Sequence, residues 1–254
     1  MTQEAISRIL DHGSLPLHLT AMIASFALGG WLTRQDARAW PLTRRARIGV
    51  FASVFLGGLA GCAIPAFFAD EMIADLAYGQ WRGPKTIMGG LLGGFFGAAA
   101  YKKLTGTAYD TSDAFARGTC LMMAVGRLGC IAQHCCFGIE VPAWAGGDLG
   151  DGVPRFPVQA LEAALMFGLF GFLDRLHRGG QARNRRLFVL FLAYGLLRFG
   201  LEFLRAQYAG QILGLGFYQW IALLLAAVGA WQIRKRTPVA ASTTLVQSAG
   251  GVVP

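Results

Sequence analysis

The run RLFVLFLAYGLLRFGLEFL, from Arg186 to Leu204, decides the fold class. It is almost continuously apolar over about 20 residues, the length an α-helix needs to cross the hydrocarbon core of a bilayer. Inside it sit two ionisable side chains, Arg198 and Glu202. A charge at membrane depth is costly, so such residues mark function by default. One stretch therefore predicts a membrane helix and points to a site on it.

Working outward, six more apolar stretches stand out: Leu15–Thr33, Ala46–Ala69, Thr86–Leu104, Thr111–Cys130, Pro157–Leu176 and Leu213–Ile233. Composition agrees. The chain of 254 residues is 54% hydrophobic and 15% charged, whereas soluble domains carry about 25% charge. Its 35 glycines suit helices that approach closely in lipid. The expectation is an all-α integral membrane protein of about seven transmembrane helices over residues 15–236. A short outer segment, 1–14, precedes them, and a polar tail, 237–254, is expected to be disordered. The first stretch lacks a small-residue cleavage site after its apolar core, so it reads as a retained helix.

The formal charge of +9 could suggest nucleic acid. The basic residues instead occupy short clusters between apolar runs, as topology signals do. One set of alternate loops holds Arg34, Arg38, Arg44, Arg45 and Arg47, then Lys102 and Lys103, then Arg175, Arg178, Arg183, Arg185 and Arg186, then Arg234, Lys235 and Arg236. The other set holds fewer cations and more acids, among them Asp70, Glu71, Asp75, Glu140, Asp148 and Asp151. Basic loops stay cytoplasmic. The N-terminus is thus expected outside, the C-terminus inside and the chain in a bacterial inner membrane, with no nucleic-acid partner.

That orientation puts the intramembrane polar residues at one level. Lys85 marks the outer end of span three, and Arg127 lies near the outer end of span four. Arg155, Gln159 and Glu162 open span five. Arg198, Glu202 and Arg205 lie in the outer half of span six, and Gln211 follows in the next turn. Arg198 and Glu202 are four apart and share a helix face; Glu202 and Arg205, three apart, can meet too. Arginines outnumber carboxylates here, and the planar guanidinium binds phosphate bidentately. An anionic ligand is expected, and at this depth the abundant anion is a phospholipid headgroup. The plainer reading is that helix-end arginines snorkel to the interface; it suits Arg155 and Arg205 better than Arg127 and Arg198.

Two sequence features carry their own alternatives. Gly89-Gly90-Leu91-Leu92-Gly93-Gly94 in span three holds two small-xxx-small patterns, which read first as tight helix packing. The other reading is bare backbone for a lipid to lie against at Gly89 and Gly90. Of the five cysteines, Cys62 and Cys120 read as small hydrophobes. Cys130, Cys135 and Cys136, with His134 among them, read as packing, as a disulfide such as Cys130 to Cys135 or Cys136, as a metal site with His134 as an added ligand, or as a reactive thiol. The spacing matches no standard zinc pattern, and no metal or cofactor is expected.

Several segments together resemble the prolipoprotein diacylglyceryl transferase family. They are Gly126-Arg127-Leu128-Gly129-Cys130 through Phe137-Gly138; Arg155-Phe156-Pro157-Val158-Gln159-Ala160-Leu161-Glu162; and Arg198-Phe199-Gly200-Leu201-Glu202-Phe203-Leu204-Arg205. Pro142-Ala143-Trp144 and Gly210-Gln211 also fit. Seven spans with the N-terminus outside is that family's topology. The resemblance implies transfer of the diacylglyceryl group of phosphatidylglycerol to the cysteine thiol of a lipoprotein precursor, with release of glycerol phosphate. It implies that Arg127 and Arg198 hold the phosphate and that Glu202 orients Arg198. Lys85, Gly89, Gly90, Arg155, Gln159, Glu162, Arg205 and Gln211 would line the substrate. The partners implied are the phospholipid and the signal peptide of the prolipoprotein.

The chain departs from that pattern twice. Met88 stands where the family has the histidine often proposed as base, and methionine takes no proton. Cys130 stands where the family has asparagine, and the pair Cys135-Cys136 is extra. Two other functions therefore stay open: a related phospholipid-dependent transferase with a different acceptor, and a non-enzymatic lipid-binding or thiol-redox membrane protein.

Overall fold

The structure, a computed structural model, describes residues 14–68, 86–206 and 211–236. Among these residues it contains seven α-helices: α1 (Leu15–Asp36), α2 (Arg44–Phe68), α3 (Ile87–Thr105), α4 (Asp113–Ala132), α5 (Val158–Arg178), α6 (Arg186–Glu202) and α7 (Phe217–Lys235). Each falls on one of the seven apolar stretches. The expected outer segment lies outside the described residues up to residue 13, as does the whole tail.

Local chemistry sets the helix ends. Ser14 caps α1, its hydroxyl accepting from the Leu17 N–H, which satisfies one of the free donors of the first turn. Gly106 ends α3 in the left-handed region at φ 67°, where glycine pays no side-chain penalty. The last apolar stretch was expected to be helical from Leu213, but α7 begins at Phe217. Residues before it form a hairpin, β3 (Gln211–Ile212) against β4 (Leu215–Gly216), turning through Leu213 and Gly214 at φ 53° and 79°. A second hairpin pairs β1 (Gly147–Asp148) with β2 (Pro154–Arg155).

Bare glycine backbone joins the helices in pairs. A Cβ on Gly61 of α2 would lie 2.1 Å from the Gly89 carbonyl of α3, and one on Gly93 would lie 2.1 Å from that of Gly57. A Cβ on Gly29 of α1 would meet the Gly118 carbonyl of α4 at 2.6 Å, and one on Gly195 of α6 the Ala222 carbonyl of α7 at 2.7 Å. Close backbone approach of this kind replaces the hydrophobic drive that helices lack in lipid. The glycine run of span three is therefore a packing surface for α2, as its first reading had it.

The interior is built on Phe188, Phe191 and Tyr194 of α6, Met166 and Leu173 of α5 and Leu225 of α7, all fully buried. The outside is apolar too: Ile23, Phe26 and Trp31 of α1 and Phe55 and Leu56 of α2 are exposed. A continuous apolar exterior is a surface meant for something other than water. Three segments, Leu15–Ala39, Arg44–Ile64 and Asp113–Ala132, are long and apolar enough to cross a membrane. By the same measure α6 is short at 17 residues, and α5 carries Glu162, Asp174, Arg175 and Arg178.

Candidate functional site

The C-terminal ends of α4 and α6 and the N-terminal end of α5 meet, and there the buried charges converge. Arg127, in the last turns of α4, is 7% exposed; Arg198 of α6 is 6% exposed. Arg127 Nη2 lies 2.7 Å from Glu162 Oε1 of α5. Tyr194, one turn before Arg198, donates its hydroxyl to the same oxygen at 3.2 Å. Arg198 Nη1 lies 2.6 Å from Glu202 Oε2, the partner that the four-residue spacing predicts. The charges touch, yet neither atom has a hydrogen bond of good alignment. Tyr194 stands within electrostatic reach of Arg127, Arg198 and Glu162, so the two ion pairs form one cluster.

Arg205 differs from its expected geometry. The helix ends at Glu202, so the three-residue spacing no longer places the two on one face. The Arg205 backbone N–H donates to the Glu202 carbonyl at 3.3 Å, and Arg205 lies opposite Gly138 in an antiparallel bridge. Its guanidinium makes no ion pair among the described residues, while Arg127, Glu162, Glu202 and Cys136 all lie within its electrostatic reach. The uncompensated positive charge of the cluster therefore sits on Arg205.

Arg155 is already satisfied. Its Nε and Nη2 donate to Asp151 Oδ2 at 3.0 and 2.6 Å, Glu140 lies 3.6 Å away, and the guanidinium stacks 5.0 Å from the centre of the Phe137 ring. It braces the β1–β2 hairpin against the chain that leaves α4. Gln159 donates its amide to the Cys135 carbonyl at 2.7 Å, so it holds the turn after α4 and does not pair with Glu162.

All five cysteines are free thiols. Cys120 is fully buried against α5, and Cys62 packs on Gly90, as small hydrophobes should. The sulfurs of Cys130, Cys135 and Cys136 all lie within 4.8 Å of one another: a group of three where a disulfide had been one expectation. Hydrogen bonds from Cys130 and Cys135 hold the Cys136 thiol well below its usual range in spite of burial, with Arg205 and Arg127 adding to the effect. The same bonds, from the other side, push Cys135 up.

Met88 and Gly89, in the first turn of α3, are buried. Gly89 packs on Gly61, whereas Gly90 lines a cavity of about 660 Å³. That cavity is walled by Phe95 of α3 and by Leu187 and Phe191 of α6, and ends at Lys102, Lys235 and Arg236. Neither Arg127 nor Arg198 lines it. Lys85 lies outside the described residues. The Gln211 backbone pairs with Gly216.

Comparison with known proteins adds to this arrangement of buried arginines. The family model for prolipoprotein diacylglyceryl transferase matches residues 11–234. The chain belongs to this family. It is 28% identical to the phosphatidylglycerol–prolipoprotein diacylglyceryl transferase of Paenarthrobacter aurescens strain TC1, over 92% of this chain and 83% of that protein. It is 30% identical to the enzyme of the same name from Pseudomonas aeruginosa, over 82% of each chain. With that of Bordetella parapertussis it shares 31% identity, over 73% of this chain and 75% of the other.

Within this chain, sequence reasoning missed two things. Tyr194 was not singled out, although its place one turn before Arg198 put it on the same helix face. At the opposite helix ends Arg117 of α4 reaches Asp36 of α1 at 2.6 Å and also Asp174 of α5. Arg186 N–H donates to Asp113 at 2.9 Å, and Arg236 pairs with Asp110. Charge counting had assigned Arg186 and Arg236 to loops; together with Arg117 they tie helix ends together.

Proposed function

We propose that this chain transfers the diacylglyceryl group of phosphatidylglycerol to the cysteine thiol of a prolipoprotein, releasing glycerol phosphate. The observation that carries the reading is the cluster of buried Arg127 and Arg198 and half-buried Arg205 against two carboxylates among the described residues, Glu162 and Glu202. It is a site short of negative charge, in a chain of this family. A phosphodiester supplies that charge, and positioned guanidinium groups stabilise it most as the leaving oxygen develops.

In this reading the acceptor thiolate attacks the glyceryl methylene carbon that bears the phosphate. The C–S bond forms, the C–O bond breaks, and the electron pair leaves on the phosphate oxygen beside Arg127 and Arg198. Glu162 and Tyr194 fix Arg127, and Glu202 fixes Arg198. The thiol proton needs an acceptor, and buried Met88 cannot be one. Glu202, whose Oε2 lies beside Arg198, takes it as that arginine's charge passes to the leaving phosphate. Arg205, Lys85 and Gln211 meet the headgroup. Gly90 opens the backbone to an acyl chain running along the cavity toward Lys102, a rise of about 18 Å over 12 helical residues. Gln159 and Arg155 act as positioning residues for the outer turns.

The same reading takes all seven helices as spans in a bacterial inner membrane, with the N-terminus outside. The basic loops Arg34–Arg47, Arg175–Arg186 and Arg234–Arg236 support it. The test is complementation of a strain depleted of its own transferase. Growth is expected with this chain and not with its Arg198→Lys variant at equal membrane levels. Absence of rescue by the well-expressed chain would count against the acceptor named here.

A further inference from the structure

Three sulfurs lie beside the phosphate site, and the transfer reaction uses none of them. Cys130 is buried in the last turn of α4; Cys135 and Cys136 follow in the connection to the hairpin. Their Sγ atoms are mutually within 4.8 Å. The backbone bends unfavourably to bring them together, since His134 and Cys136 both adopt left-handed conformations, at φ 56° and 59°. Residues other than glycine keep such conformations where the surroundings over-determine them, often at functional sites. The turn is fastened on three sides. Cys135 Sγ lies 3.8 Å from the Cys130 carbonyl, its own carbonyl accepts from Gln159, and Arg127 Nη1 donates to Cys130 Sγ at 3.8 Å. Simple packing, which accounts for Cys62 and Cys120, requires neither the convergence nor the bend.

We propose that Cys130, Cys135 and Cys136 form a three-thiolate site for a soft cation, with copper(I) the ion it fits best. Thiolates select soft ions such as copper(I) and zinc. Structural zinc asks for four ligands, and this group offers three. His134 Nδ1 is buried and unpartnered, but the ring lines a separate small pocket with Gly147, Phe156 and Ala160. With a metal–sulfur bond of about 2.3 Å, as in zinc sites, planar three-coordination sets the sulfurs about 4 Å apart. The observed spacing closes to that by small side-chain rotations.

Binding releases one proton from each of three thiols, so a monovalent ion leaves a site of charge −2. Arg127 and Arg205 both stand within electrostatic reach of Cys136 and lower the cost of that charge without an ion pair to it. The inference does not rest on the transferase reading. It implies that the ion clamps the turn through which Cys130 touches Arg127 and Cys135 holds Gln159.

The experiment uses the full-length chain in detergent, reduced and supplied with chelator-buffered copper(I). One copper per chain is expected, with a sulfur-to-copper charge-transfer band in the ultraviolet. The three thiols should then be shielded from maleimide. Cys135→Ser and Cys136→Ser should each abolish both signals while eluting as the wild type does, and Cys62→Ser should keep them. The proposal is overturned if copper does not bind stoichiometrically, or binds equally well to the two serine variants. It is overturned equally if protein trapped directly from membranes carries a disulfide between any two of the three.

Discussion

The two ends of the helix bundle use arginine differently. At one end Arg117 is shared by two carboxylates, of Asp36 and Asp174, on two other helices; Arg186 meets Asp113 and Arg236 meets Asp110. Each charge there is answered by protein. At the other end Arg127 has Glu162, Arg198 has its neighbour Glu202 with poor alignment, and Arg205 has no ion pair among the described residues. The first arrangement is what a fold needs to join helices. The second leaves positive charge unspent in a buried place, which stability alone does not favour. The difference teaches where to look for a ligand: not where the arginines are most numerous, but where their partners run short.

The sharpest way to break this comparison is to keep the charge and remove the fork. Arg127→Lys and Arg198→Lys are expected to lower transfer about 10²- to 10³-fold, measured as lipidated peptide formed per folded enzyme. Equal activity for both variants would erase the distinction between the two ends. Next in size, Arg117→Ala takes the shared partner from the half-buried carboxylates of Asp36 and Asp174, leaving Asp174 with Arg178 alone, and should cost about 2 to 3 kcal/mol in denaturant unfolding, while activity per folded molecule stays near that of the wild type. A smaller effect is expected from Gly93→Ala, whose methyl would press on the Gly57 carbonyl and force α2 from α3. About 2 kcal/mol of stability should be lost, read as a lowered melting temperature in detergent. Smallest is Tyr194→Phe, which removes the hydroxyl from Glu162 and should cost about 1 kcal/mol, with a modest fall in kcat and little change in KM.

Much of the fold was legible because lipid-facing helices announce themselves by length and apolarity. The misplacements came from local turns. The start of α7 slid from Leu213 to Phe217 because an apolar residue, Leu213, occupies a left-handed hairpin position, which hydropathy does not register. The site was legible where partners lie on one helix, as with Arg198 and Glu202. It was not legible where partners come from different helices, as with Arg127 and Glu162, since no spacing rule reaches across a bundle. Arg155 and Arg205 differ from one another for a similar reason. Asp151, four residues before Arg155, answers that charge through the hairpin, and the end of α6 leaves Arg205 near Glu202 without an ion pair to it among the described residues. The readings of the three cysteines stayed open because a sequence shows intervals, and their convergence depends on two left-handed residues.

The central claim is that the arginine-rich end binds the phosphate of a phospholipid and passes its diacylglyceryl group to a thiol. The direct measurement is reconstitution of the full-length chain into phosphatidylglycerol vesicles with a synthetic prolipoprotein peptide bearing one cysteine. Lipidated peptide and free glycerol phosphate should appear in equal amounts, and both should fall together in Arg127→Lys and Arg198→Lys. Well-folded protein that yields neither product, or variants that match the wild type in both, would contradict the account.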